Sequence, residues 1–303
     1  MKKYRKIYIE ITNVCNLNCS FCPKTARQPC VMTVEKFRQA ARMLKDCGQN
    51  FYLHVMGEPT AHPQFGAILD ICREYGMTVN VTTNGSLLDK TGDMMLKSSV
   101  RMVSVSLHSF EANSLDSDMQ RYLDKVLSFA AKAADTDTAC ELRLWNFDRK
   151  SLYGANKLNG QILSYIQKKL ELDFDLADAV EKQLEKMENS NSRKFNLRLK
   201  GRVFLGMAEH FEWPDINSTV CYENGFCYGL RNQISVLANG DVVPCCLDSD
   251  GNMVLGNIFS DTLDEILNSR RAKDIYTGFT NQKAVERLCQ TCGYMQKFFK
   301  NRN

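Results

Sequence analysis

Lys6-Ile-Tyr-Ile-Glu-Ile-Thr12 runs, after two intervening residues, into Cys15-Asn-Leu-Asn-Cys19-Ser-Phe-Cys22-Pro23. The first stretch alternates as a strand does, and the second places three thiols within eight residues. Three thiolates at this spacing can hold three corners of an iron–sulfur cluster. No fourth cysteine is local, so one iron is left open to bind something else. The plain alternatives are a zinc knuckle or three buried core cysteines. Zinc sites pair their ligands in two half-sites about 2–4 residues apart, and the nearest spare cysteine, Cys30, breaks that pattern.

Working outward, the 303-residue chain has room for one large domain and a small one. Its hydrophobic content (44%) and charged content (24%) are ordinary globular values. No segment approaches the ~18 uninterrupted apolar residues of a membrane span, and the N-terminus lacks a signal-peptide apolar core. The expectation is a cytoplasmic protein with no membrane partner. A net charge of +4 is too small to argue for nucleic acid. Thirteen cysteines without export signals point to metal rather than disulfides. They fall into an N-terminal group and a group in the last third, which implies two centres. Cys47, Cys72 and Cys140 read as buried core thiols.

Short apolar strands alternate with amphipathic helices over the first two hundred residues. Strands are expected at 6–12, 51–55, 77–81, 101–107 and 141–145, with a sixth near 195–205. Thr33 caps the first helix and Gly48 stops it. This alternation predicts an α/β fold with a parallel sheet and outer helices. A Lys-, Glu- and Leu-rich helical insert spans about 159–191, as a lid, a substrate platform or a packing pair. Near Phe211-Glu-Trp-Pro214 the composition changes, and glycines and cysteines dominate from Cys221 onward. Gln233 to Pro244 reads as a hairpin turning at Asn239-Gly240. The expected domains are 1–212 and 213–303.

The C-x₃-C-x₂-C loop after a first strand resembles the radical S-adenosylmethionine (SAM) superfamily. That resemblance implies a partial (β/α)6 barrel in which Cys15, Cys19 and Cys22 carry a [4Fe–4S] cluster whose open iron chelates SAM. Met56-Gly57-Glu58-Pro59 is similar to the family's Gly-Gly-Glu motif, with Met56 in place of the first glycine, and implies Gly57 and Glu58 at the SAM ammonium. By the same resemblance Thr82, Asn84, Ser104, Ser106, Arg143 and Asn146, at successive strand ends, bind the SAM ribose and carboxylate. Each fragment alone is weak, since Thr-Asn-Gly is commonly a turn. Five in succession at the edge where parallel sheets place their sites are not. His54 and His108 flank this edge and read as hydrogen-bonded structural histidines, with strand alternation aiming one of them into the barrel mouth.

Cys227, seventeen residues, Cys245, and then Cys289-Gln-Thr-Cys292 resemble the auxiliary-cluster module of the same superfamily, in its short twitch form rather than the full SPASM form. The resemblance implies one auxiliary [4Fe–4S] cluster on Cys227, Cys245, Cys289 and Cys292, with Cys221 an alternative ligand. A zinc ribbon uses the same residue types. Cys246, beside a ligand, is a candidate hydrogen-atom donor. The function expected is generation of a 5′-deoxyadenosyl radical and hydrogen abstraction from a small metabolite that is oxidised with the auxiliary cluster's help. Modification of a peptide, by epimerisation or thioether formation, is the alternative. The short stretch before Cys15 leaves no room for a peptide-recognition extension. A non-enzymatic iron–sulfur or zinc module is the third class. A flavodoxin or ferredoxin is the expected electron donor.

Overall fold

The computed structural model describes residues 4–113, 119–147, 158–188, 194–209, 212–220 and 222–298. In chain order the first half reads β1 (Tyr4–Ile9), α1 (Val34–Leu44), β2 (Gly48–Tyr52), α2 (Phe65–Glu74), β3 (Val79–Thr83), α3 (Leu88–Leu96) and β4 (Val100–Ser106). Then come α4 (Met119–Ala134), β5 (Ala139–Phe147), α5 (Asn159–Leu170), α6 (Leu176–Glu188), β6 (Lys194–Lys200) and β7 (Val203–Glu209). The last third holds β8 (Gln233–Val236), β9 (Asp241–Val243), β10 (Gly256–Asn257), α7 (Leu263–Asn268), α8 (Arg270–Thr280) and α9 (Arg287–Gln290). Among the described residues no helix is long and apolar enough to cross a membrane.

The chain forms two compact units. The first comprises residues 1–15, 23–79 and 212–303, and the second comprises 16–22 and 80–211. In the first unit β1 runs parallel to β2, Ile7 opposite Phe51 and Tyr8 opposite Tyr52. On its other side β1 runs parallel to β8, Ile7 opposite Ile234 and Ile9 opposite Val236. The C-terminal residues thus continue the sheet of the first strand through β8, β9 and β10. Thr33 caps α1 by accepting from the Lys36 N–H (3.3 Å), and Phe37, Ala40, Ala41 and Leu44 bury its inner stripe. The hairpin of β8 and β9 turns where expected. Gly240 has φ +97°, and a Cβ there would meet the Phe259 ring at 2.3 Å, so only glycine fits.

In the second unit β4, β5 and β7 are mutually parallel. The single sixth strand expected over 195–205 is in fact a hairpin. β6 pairs antiparallel with β7, and β7 is the strand that continues the parallel set. The chain reverses at Gly201, φ +51°, where a Cβ would lie 2.5 Å from the Ala134 carbonyl oxygen. The helical insert is a packing pair. Tyr165 on α5 donates to Asp124 on α4 (2.8 Å), and Lys169 pairs with the same carboxylate (2.6 Å).

Candidate active site and auxiliary metal centre

The base of the cysteine loop is pinched by its own backbone within the first unit. Asn13 accepts from the Cys30 N–H through Oδ1 (2.7 Å) and donates through Nδ2 to the Gln28 carbonyl (2.9 Å), while Thr12 Oγ1 donates to the Cys30 carbonyl (3.2 Å). Gly57 then closes on this base. At φ +76° its missing Cβ would sit 2.3 Å from the Thr12 carbonyl oxygen, so the Met56–Glu58 turn lies directly against the loop backbone. The Glu58 N–H donates to the Val14 carbonyl (3.0 Å), and the buried Glu58 carboxylate accepts from the Thr60 N–H (3.0 Å) and hydroxyl (2.6 Å). This is why the glycine needed here is Gly57 and not residue 56. Met56 is buried, and its N–H is directed elsewhere.

That N–H reaches Glu10, which sequence reading passed over. Glu10 is fully buried just past β1. Its Oε2 accepts from Met56 N (2.9 Å) and from Arg27 Nη2 (2.8 Å), and its Oε1 accepts from Ala238 N (3.0 Å). Arg27 Nε donates in turn to the Ser249 carbonyl (2.8 Å), and the Thr25 hydroxyl donates to Asp250 (2.7 Å). One carboxylate therefore ties the flank of the cysteine loop, the Met56–Glu58 turn and the β8–β9 hairpin together.

Residues 16–22 pack in the second unit. Asn84 Nδ2 donates to Asn16 Oδ1 (3.0 Å), and Asn16 Nδ2 donates to Ser86 Oγ (2.8 Å). Cys22 N donates to the Cys19 carbonyl (3.2 Å), making the turn between those two thiols. Asn113 Nδ2 lies 3.0 Å from Cys19 Sγ as a donor, and the Phe21 ring is 4.7 Å from that of His108. Cys15 is exposed, Cys22 half-buried and Cys19 buried.

Three of the expected strand-end residues form one network. Ser104 Oγ and Arg143 Nε both donate to Glu141 Oε2 (2.7 and 2.6 Å), and Arg143 Nη1 reaches Thr82 Oγ1 (3.4 Å). Glu141 was not among the expected residues. It is buried opposite Ser104 in the β4–β5 register, and Gly206 makes room for it, since a Cβ there would lie 2.7 Å from its Oε1. Ser106 is half-buried opposite Arg143, and Asn146 falls in β5 with its side chain outside the described residues. His108 is a structural histidine, its Nδ1 bonded with the Arg143 carbonyl (3.2 Å). His54 sits edge-on to Tyr8, ring centroids 5.8 Å apart.

Cys227, Cys245, Cys289 and Cys292 line a single apolar recess with Met253 and Phe279. Burial raises all four thiols above their usual range, Cys292 to about 11, and their mutual proximity adds to the rise at Cys245, Cys289 and Cys292. Among the described residues no three His, Cys, Asp or Glu close on a point as a single metal ion requires. Cys246 lies beside the Tyr8 phenol, and burial pushes its thiol up. Cys221 lies outside the described residues. Cys47, Cys72 and Cys140 are buried. The donor chemistry fits two clusters: three soft thiols on a short loop, and four around one apolar recess.

A family model for the radical SAM superfamily matches residues 9–141, and one for an iron–sulfur cluster-binding domain, SPASM, matches 227–293. The subtilosin biosynthesis protein AlbA of Bacillus subtilis is 26% identical over 277 residues, covering 86% of this chain, which spans only 58% of AlbA. A probable GTP 3′,8-cyclase of Methanocella arvoryzae is 26% identical over 270 residues, covering 82% of this chain and 83% of that protein. Among solved structures, BtrN in complex with AdoMet and 2-DOIA superposes with a TM-score of 0.55 at 16% identity, covering 97% of this chain and 94% of BtrN. Streptococcus suis SuiB gives 0.62 at 16% identity, covering 97% of this chain and 74% of SuiB.

Proposed function

Because the chain belongs to the radical SAM superfamily and carries a SPASM-type cluster-binding domain, we propose that it cleaves SAM reductively and oxidises a small metabolite. Its fold is the α/β partial barrel of that superfamily with a small C-terminal cysteine-rich domain. Its cofactors are a SAM-binding [4Fe–4S] cluster, SAM and an auxiliary [4Fe–4S] cluster. When bound, these groups supply a 5′-deoxyadenosyl radical able to take a hydrogen atom from carbon, and an acceptor for one further electron.

In this reading Cys15, Cys19 and Cys22 hold the first cluster. The Gly57–Glu58 turn receives the SAM ammonium, while Thr82, Ser104 and Arg143, braced by Glu141, receive its ribose and carboxylate. Asn84, Ser106 and Asn146 complete that edge. The observation that carries the oxidative reading is the four-cysteine recess. Four thiolates would occupy all four irons of a bound cubane, which would leave none for substrate and would suit the auxiliary cluster to accepting an electron. With both groups bound, oxidation of the substrate would remove one hydrogen atom to the nucleoside radical, one electron to the auxiliary cluster and one proton to a base. A flavodoxin or ferredoxin supplies the electron that starts the cycle.

Anaerobically reconstituted protein, reduced and given fractions of cell extract, tests this by 5′-deoxyadenosine release, with the Cys15→Ala/Cys19→Ala/Cys22→Ala protein as blank. Stimulation by a low-mass fraction is expected. Release no greater than the blank under every condition would sink the assignment.

A second reading, modification of a peptide by epimerisation or thioether formation, draws on Cys246 beside the Tyr8 phenol, a thiol that could return a hydrogen atom to a substrate radical. The likeness to AlbA, a bacteriocin biosynthesis protein, and to SuiB, solved with its precursor peptide SuiA, supports a peptide substrate without specifying the modification. It predicts stimulation confined to a protease-sensitive fraction.

A further inference from the structure

Asn113 ends a short turn after β4 and touches the cysteine loop at two places. Its Oδ1 accepts from the Asn18 N–H (2.6 Å), and its Nδ2 donates to the Ser109 carbonyl (2.6 Å) and to Cys19 Sγ (3.0 Å). The two backbone bonds fix which way the amide faces. An N–H needs the oxygen and a carbonyl needs the nitrogen, so the group directed at sulfur is a donor. The adjacent Ser20 N–H donates to the Ala112 carbonyl (3.0 Å), holding the loop independently of that side chain.

We propose that Asn113 is a positioning residue that sets the reduction potential of the N-terminal cluster through its N–H···S bond to Cys19. This rests on Cys19 being a ligand of that cluster. Adding one electron to the cluster increases negative charge on its sulfurs, and an N–H donor stabilises the reduced form more than the oxidised one. The bond therefore raises the potential and makes the cluster easier to reduce.

Potentiometric titration of the reconstituted full chain with a low-potential one-electron reductant, read by electron paramagnetic resonance, tests this. The spectrum of the Cys15→Ala/Cys19→Ala/Cys22→Ala protein identifies the auxiliary signal. Asn113→Leu removes the donor. Asn113→Asp also removes it but keeps an acceptor for the Asn18 N–H, so it separates tuning from loop-holding. At the potential where the wild-type cluster is half reduced, both variants are expected to lower its reduced-to-oxidised ratio about tenfold, roughly 59 mV for one electron. The auxiliary midpoint should stay fixed. An unchanged midpoint in both variants at full iron content overturns the proposal, as does an equal shift of both clusters. Loss of the N-terminal cluster from both variants also overturns it, because Asn113 would then merely hold the loop. A wild-type protein with no signal beyond that of the triple variant removes the cluster reading itself, an outcome distinct from these.

Discussion

Glu10 and Arg27 meet at 2.8 Å, and the same carboxylate also accepts the N–H groups of Met56 and Ala238. The Glu10 side chain is fully buried and that of Arg27 is 13% exposed, so water does little to screen the pair. Arg27→Ala would leave a buried carboxylate with two neutral donors and no counter-charge. The expected loss is about 3–5 kcal/mol in urea unfolding. The surface pair Arg38–Glu74, 40% and 52% exposed, is the contrast, and Arg38→Ala should leave the urea midpoint close to that of the wild type. Equal costs for the two would show that Glu10 is not a hub.

Gly57 and Gly76 both have positive φ, at +76° and +62°. A Cβ on Gly76 meets nothing within 4 Å, whereas one on Gly57 strikes the Thr12 carbonyl. Gly76→Ala should therefore carry only the left-handed penalty of about 1–2 kcal/mol. Gly57→Ala should cost more and should also weaken SAM binding in equilibrium dialysis. If Gly57→Ala binds SAM as tightly as Gly76→Ala does, the turn is not part of the site.

Glu141→Gln replaces the acceptor shared by Ser104 and Arg143. SAM affinity is expected to fall about tenfold or more, as for loss of a charged hydrogen-bond partner, with iron content unchanged. Gly206→Ala should act in the same direction, because its new methyl group would collide with the same carboxylate. Wild-type affinity in both variants would remove Glu141 from the site.

Cys289→Ser/Cys292→Ser should lower the iron content of reconstituted protein from about eight to about four per chain. Release of 5′-deoxyadenosine should persist while the oxidised product disappears. Retention of eight irons would show that the recess is not the second cluster site.

Burial pushes the Cys72 and Cys140 thiols up to about 12. At pH 8 only about one in ten thousand is thiolate, the reactive form. Neither should be carbamidomethylated by iodoacetamide in the native protein, and both should be after unfolding. Raising the pH toward 10 increases the thiolate fraction about a hundredfold but leaves burial in place, so labelling should still await unfolding. Native labelling at pH 8 would contradict their place in the core.

The features legible in the sequence are those whose signal is local. The Cys15, Cys19 and Cys22 spacing, the Asn239-Gly240 turn and the Cys289–Cys292 pair each lie within a few residues, and the glycine required in the second loop is where the motif put it. Glu10, Glu141 and Asn113 gave no such signal. A carboxylate inside an alternating strand reads as its solvent-facing position, and what buries Glu10 arrives from residues 17, 46 and 228 positions away. Asn113 is bound to a cysteine 94 residues distant. The hairpin of β6 and β7 was readable in principle, since Gly201 interrupts an otherwise continuous strand pattern. The apolar residues on both sides hid the reversal.

The pairing of β1 with β8 has a consequence in time. β1 waits for one of its two neighbours until residues 233–236 have been made. Until then one edge of β1 is an open ladder, and Glu10 lacks the Ala238 N–H that helps hold it. Contacts of such long sequence separation are slow to form. The cysteine loop beside that strand is thus made well before the strand that helps frame it, so in the proposed reading its cluster is loaded only once residues 233–238 are in place.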